Sequence, residues 1–181
     1  MIVIDAALRP AILLVAWLSP GTFSVYITPV AGMADGFVFG FKILTMILFC
    51  RWIYVAGRNL VEVGMDELEF TPASRIWWFF VPVASLFKPF QAMRELWNAS
   101  RNIWPHDTND SLVSVWWGLW LATNILAYIS NITNRDSRNL TTIVVHIAAE
   151  IAVAVAAIAL VRGIAKGQDS LAGSEIAEVF A

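Results

Sequence analysis

The order of apolar and polar positions divides the chain into four apolar runs of about 20 residues, each enough to cross roughly 30 Å of hydrocarbon as a helix. They cover 8–27, 37–57, 112–129 and 142–161. Pro20-Gly21 inside the first should kink or divide it, because proline removes a donor from the helical ladder and clashes with the preceding turn. No proline interrupts the other three. Trp116, Trp117 and Trp120 open the third run and Tyr128 closes it, the pattern expected of rings at the two headgroup levels.

Between the second and third runs the pattern changes. Thr71 can cap a helix whose first residue is Pro72, where a missing amide costs nothing. The apolar stretch Ile76 to Phe87 follows, flanked by Arg75 and Lys88 and broken by Pro82. It is too short to span, so a proline-broken re-entrant segment is expected over 73–88, with Trp77, Trp78, Phe79 and Phe80 packed on the spans or on a partner. After Pro89, Phe90, Met93 and Trp97 share a helical face, with Gln91, Arg94, Glu95, Asn98 and Arg101 elsewhere around the wheel. This predicts an amphipathic helix over 90–102 lying in the membrane interface. The expected fold is an all-α membrane protein with four transmembrane helices. Residues 1–165 would form one polytopic domain and 166–181 a polar cytoplasmic tail.

Basic residues choose between two topologies. If Ile76 to Phe87 spans, Arg9, Arg51, Arg58, Arg75, Arg135 and Arg138 face Lys42, Lys88, Arg94, Arg101, Arg162 and Lys166, an even division. If it turns back, only Lys42, Arg135 and Arg138 lie opposite the rest. The positive-inside rule then puts both termini in the cytoplasm, as expected for a multi-pass protein of a bacterial inner membrane.

Composition agrees: 59% of residues are hydrophobic, 14% are charged, and the mean hydropathy is +0.68. A net charge of −2 supplies no field for a phosphate backbone, so nucleic acid is not an expected partner. Cys50 is the only cysteine, which leaves no intramolecular disulfide, and its apolar surroundings make it a small hydrophobe. Ala11 to Leu18 has the length of a signal-peptide core. Its lead-in carries Asp5 and one basic residue and no A-x-A pattern follows, so it is expected to stay as a span.

The residues Phe70, Thr71, Pro72, Trp78, Phe79, Phe80, Val81, Pro82, Leu86, Lys88, Pro89, Gln91, Ala92, Met93, Arg94, Glu95, Leu96, Trp97 and Ser100 resemble the core signature of the bacterial membrane family catalogued as domain of unknown function 4328. Trp52, Tyr54, Asn59 and the Trp116-Trp117 pair fit its flanking pattern, so the resemblance covers about Trp52 to Trp120. Val55 departs from it, standing where the family typically has an arginine after Trp-x-Tyr. The resemblance implies a multi-span bacterial membrane protein and supplies no activity, catalytic residue or cofactor.

Polar side chains inside spans are the first candidates for chemistry, because they are costly in hydrocarbon. Lys42 enters the second run, Asn124 lies in the third, and His146 and Glu150 are one helical turn apart on the fourth. At about 1.5 Å per residue all four come out roughly 6–12 Å deep in the outer half of the bilayer. They can pin helices together, with Glu150 meeting Lys42 or Asn124, or line a solute or proton path. A metal site would need a third protein ligand, which His106 in a polar loop does not reach, so no metal or cofactor is expected. The other candidate is a surface for a partner or lipid made by Trp77, Trp78, Phe79, Phe80, Pro82, Lys88, Phe90, Met93, Arg94, Trp97 and Arg101. Arg51, Arg58, Glu62, Asp66, Glu67, Glu69, Arg94 and Glu95 read as a solvated, partly paired membrane-proximal set.

No nucleophile elbow, phosphate loop or metalloprotease helix occurs, so an enzyme is not the leading expectation. The sequence points instead to a non-catalytic accessory or scaffold subunit that binds a membrane-protein partner, a second copy of itself or lipid. A small solute or ion transporter or channel is the alternative, disfavoured by the lack of repeated halves.

Overall fold

The computed structural model describes residues 18, 21, 28–65, 67–108, 110–133 and 140–179, and among them every regular element is helical. In chain order these are α1 (Thr28–Glu62), a single turn α2 (Ser74–Trp77), a 3-10 turn at Ala84–Leu86, α3 (Lys88–Ala99), α4 (Ser111–Thr133) and α5 (Leu140–Val179). Three stretches, Phe39–Glu62, Ser111–Ile129 and Val144–Gly173, are long and apolar enough to cross a membrane. They correspond to the second, third and fourth predicted runs. The first, 8–27, lies outside the described residues apart from Leu18 and Gly21, which are helical.

Helix α5 overruns its apolar stretch. No proline follows Val161, and the three glycines of its second half do not stop it, so the polar tail expected from Lys166 is helical through Val179.

The core lies at one end of the long helices. Ile53, Ala56 and Leu60 of α1 meet Met93, Leu96 and Trp97 of α3, Val113, Trp116 and Trp117 of α4, and Ala156, Leu160 and Ile164 of α5. On each long helix these positions recur at three or four residues, the spacing of a single face. Trp116 and Trp117, which hydropathy places at a headgroup level, are therefore core residues, packed with Phe49, Phe79 and Trp120. In hydrocarbon such contacts gain from close packing and hydrogen bonding rather than from exclusion of water.

Away from this end α1 stands clear of the other described helices, with Phe37, Phe39 and every residue from Phe41 to Leu48 exposed. The late part of α1, the start of α4 and the middle of α5 all meet in the core. The connection 63–110 therefore leaves and rejoins the helix group at the same end.

Helix α3 occupies 88–99, where the pattern predicts 90–102, and it is wedged among α1, α4 and α5 with more than one stripe buried. Two glycines of α5 make room. A Cβ at Gly163 would overlap the Trp97 ring, and one at Gly167 would overlap the Ser100 backbone carbonyl. Gly36 and Gly40 form the small-xxx-small pattern apparent on α1, yet a Cβ there would meet nothing within 4 Å among the described residues.

Candidate docking site

The segment from Phe70 to Phe87 is held by one buried charge. Thr71 caps its start, accepting the Ser74 N–H on its hydroxyl at 3.2 Å and the Arg75 N–H on its carbonyl at 3.2 Å. This aims Arg75 inward, where its side chain is 1% exposed. Its Nη2 donates to Glu95 Oε1 at 2.5 Å and its Nη1 to the Ala92 carbonyl at 2.7 Å. Glu95 also accepts the backbone N–H groups of Glu69, at 2.7 Å, and Phe70, at 3.3 Å.

One carboxylate thus ties the linker, α2 and α3 together. Burial pulls the Arg75 guanidinium below its ordinary value, while the charge and hydrogen bond of Glu95 hold it up. Arg75 packs on Gly57, where a Cβ would lie 3.1 Å from Nε. That Nε is buried with no hydrogen-bond partner among the described residues.

On this base the chain makes two open turns. Pro82 prevents a continuous helix, and Val83 has φ of +64°, a conformation that costs a β-branched residue about 1–3 kcal/mol. Trp117 Nε1 donates to the Leu86 carbonyl at 3.1 Å and fixes the return. Lys88 meets the Glu69 carboxylate at 3.2 Å and lies over the Phe70 ring. Arg75 and Lys88, at the two ends of the apolar stretch, are therefore joined through the Glu69–Glu95 network.

The predicted docking residues divide by exposure. Trp77, Phe80, Val83, Leu86 and Phe87 are exposed, Val83 to 72%. Pro82 is also exposed, while Trp78, Phe79, Lys88, Phe90 and Arg94 are partly buried. Met93 and Trp97 are core residues, at 1% and 6% exposure, because α3 is enclosed. Arg94 lies over the Phe90 ring and Arg101 over the Trp97 ring.

The four polar residues of the candidate spans are not drawn together among the described residues. His146 Nε2 lies 3.4 Å from Glu150 Oε1 on the same helix. Asn124 donates to its own helix, at the Trp120 carbonyl. Lys42 is exposed on the part of α1 that stands apart, which is why the expected contact with Glu150 does not form among the described residues. There, too, no group of three His, Cys, Asp or Glu side chains is close enough to hold a metal ion. Of the membrane-proximal charges, Arg58 pairs with Glu62 on an exposed turn, Glu95 is buried, and Asp66 lies outside the described residues.

Three structural groups have no counterpart in the sequence reading. Gln168 donates to the Ala56 carbonyl at 2.8 Å and to Ser100 Oγ at 3.1 Å, and accepts from Asn59 Nδ2 at 3.1 Å. Asn98 Nδ2 donates to the His106 and Thr108 carbonyls. Asp110 caps α4 through the Leu112 N–H at 2.8 Å and accepts from Trp97 Nε1 at 2.6 Å. The Asp110-Ser111 pair at the start of α4 is a local signal that could have marked one of them, whereas the Gln168 and Asn98 bonds have none.

Asp110→Ala is expected to lower stability by about 2–3 kcal/mol, since it removes the cap and leaves a part-buried indole N–H without its acceptor. Asp110→Asn, which keeps a side-chain oxygen, should recover most of it. Thermal unfolding of the detergent-solubilised protein checks both.

The family described as Domain of unknown function (DUF4328) matches residues 24–166. No curated protein and no solved structure matches the chain.

Proposed function

Because the chain belongs to the DUF4328 family, whose description assigns no function, we propose its role from the geometry: a non-catalytic accessory or scaffold subunit of the bacterial inner membrane. It docks a membrane-protein partner through the aromatic segment 77–87. The observation that carries this is the exposed set Trp77, Phe80, Val83, Leu86 and Phe87, lying outside the three candidate spans. Lipid alone would need only an apolar, pliable loop. This one is held on a buried ion pair and kept in a strained turn at Val83, features that fix the direction of the rings.

The segment dips into the cytoplasmic leaflet and returns, within a fold of four transmembrane helices whose two termini are cytoplasmic. Support comes from the connection 63–110 rejoining the helix group at the end it left, and from Arg75 and Lys88 sharing one network. In a Cys50→Ala background, Asp107→Cys should react with an impermeant maleimide from the cytoplasmic side only, and Val83→Cys should be shielded from both sides. Labelling of Val83→Cys from the outer side would mean that the segment crosses.

Docking itself is tested by a photo-reactive phenylalanine at Phe80 in living cells. One discrete adduct with another membrane protein is expected, lost in Arg75→Ala. Adducts with lipid alone would sink the partner reading. The alternative, a solute or ion transporter, has in its favour the His146–Glu150 pair inside a candidate span. Proton-coupled uptake into proteoliposomes that disappears in Glu150→Gln would establish it.

A further inference from the structure

A second feature shares no residue with the aromatic segment. Between α3 and α5 runs a groove of about 430 Å³ lined by Trp97, Arg101, Gly163, Lys166, Gly167 and Ser170. At its base Gly163 and Gly167 let α3 approach closely, the Trp97 ring lying against Gly163 and the Ser100 carbonyl against Gly167. Arg101 forms one wall, its guanidinium 4.9 Å from the centre of the Trp97 ring. Lys166 and Ser170, one turn apart on α5, form the other, and both are exposed.

The charges favour an anion. Asp110, 4.0 Å from Arg101 and held by Trp97 Nε1 and the Leu112 N–H, offsets part of the Arg101 charge but does not line the groove, which leaves Lys166 as its unbalanced cation among the described residues. Lys166 has no ion-pair partner among the described residues. Asp169 lines the groove on the opposite side of α5, beside Glu62, and does not line this one.

Position along α5 narrows the class of anion. The apolar stretch of α5 ends at Val161, before Arg162. At about 1.5 Å per residue Lys166 lies roughly 7 Å beyond that point, within the headgroup layer that adds about 5–8 Å to each side of the hydrocarbon. A guanidinium lying over an indole and an ammonium with no ion-pair partner among the described residues, on the two walls of one groove at that depth, suit a phosphodiester. We propose that this groove binds the phosphate of an anionic phospholipid headgroup, with Arg101 and Lys166 as its cationic ligands. The site stands whether or not the aromatic segment docks a protein.

The test uses the full-length protein in a neutral detergent, with thermal unfolding followed as short-chain phosphatidylglycerol, short-chain phosphatidylcholine or inorganic phosphate is added. Phosphatidylglycerol should raise the melting temperature in a saturable way, and the other two should do so little. Lys166→Gln, at an exposed position, should weaken the apparent affinity about fivefold, and Arg101→Gln/Lys166→Gln about twenty-fold or more. A charge-matched control, Arg51→Gln/Arg58→Gln, should bind as the parent protein does.

Unchanged affinity in Lys166→Gln and in the groove double variant would overturn the site. An equal loss in the control would mean a diffuse surface field and overturn it as well. Inorganic phosphate acting as well as the lipid would overturn the lipid assignment.

Discussion

Glu95→Ala is expected to be the most damaging single substitution in the described part of the protein, costing about 3–5 kcal/mol. The loss has two parts. Arg75, almost wholly buried, would keep the Ala92 carbonyl but lose its carboxylate. The N–H groups of Glu69 and Phe70 would lose their acceptors at the same time. Glu95→Gln keeps an acceptor oxygen but removes the charge, so it should fall between.

Replacing both members with apolar residues of similar size, Arg75→Met/Glu95→Leu, separates stability from aim. Exchanging a buried ion pair for apolar packing is often neutral or stabilising. The double variant should therefore recover the ion-pair part of the Glu95→Ala loss and keep only the cost of the unpaired Glu69 and Phe70 N–H groups. If the pair serves to direct the aromatic segment, crosslinking from Phe80 should still fail in it. Unfolding of the purified variants in detergent measures the first effect, and a Glu95→Ala protein within about 1 kcal/mol of the parent would mean that the pair does not hold the segment in place.

Gly167→Ala should be the next largest, and opposite in sign to what helix propensity implies. Alanine in place of glycine inside a helix ordinarily stabilises by up to about 1 kcal/mol. Gly173, also in α5, has nothing within 4 Å of a built Cβ among the described residues, so Gly173→Ala should show that gain. At Gly167 the new methyl meets the backbone carbonyl of Ser100, which no side-chain rotation can clear, and α3 has to move away from α5. Such overpacking costs about 1–3 kcal/mol or more. The movement would also pull Ser100 Oγ from Gln168, whose amide links α3 to α1 and α5. The two alanine variants should thus shift the melting temperature in opposite directions, and a gain in both would mean that α3 does not sit against this part of α5.

Much of the architecture was legible in the order of residues. Apolar runs of spanning length located the three described long helices, because hydrocarbon solvates no backbone amide and a spanning segment has to satisfy its own. Pro82, the short apolar stretch and the basic residues at its ends marked the break between α1 and α4. The core signature from Phe70 to Ser100 led to the family that the match over 24–166 establishes.

Other features were settled only when the chain folded. Arg75 and Glu95 stand twenty positions apart with no periodicity joining them, so nothing local distinguishes their burial from the solvation of Arg58 and Glu62. Met93 and Trp97 read as one exposed-helix stripe, but the bare backbone at Gly163 and Gly167 lets α3 sink among its neighbours. Lys42 and Glu150 share a computed depth, and depth along the membrane normal fixes only one of three dimensions. Hydropathy determined which segments can lie in a bilayer. Which polar groups meet there was decided by the lateral packing of helices, and that depends on where small side chains allow close approach.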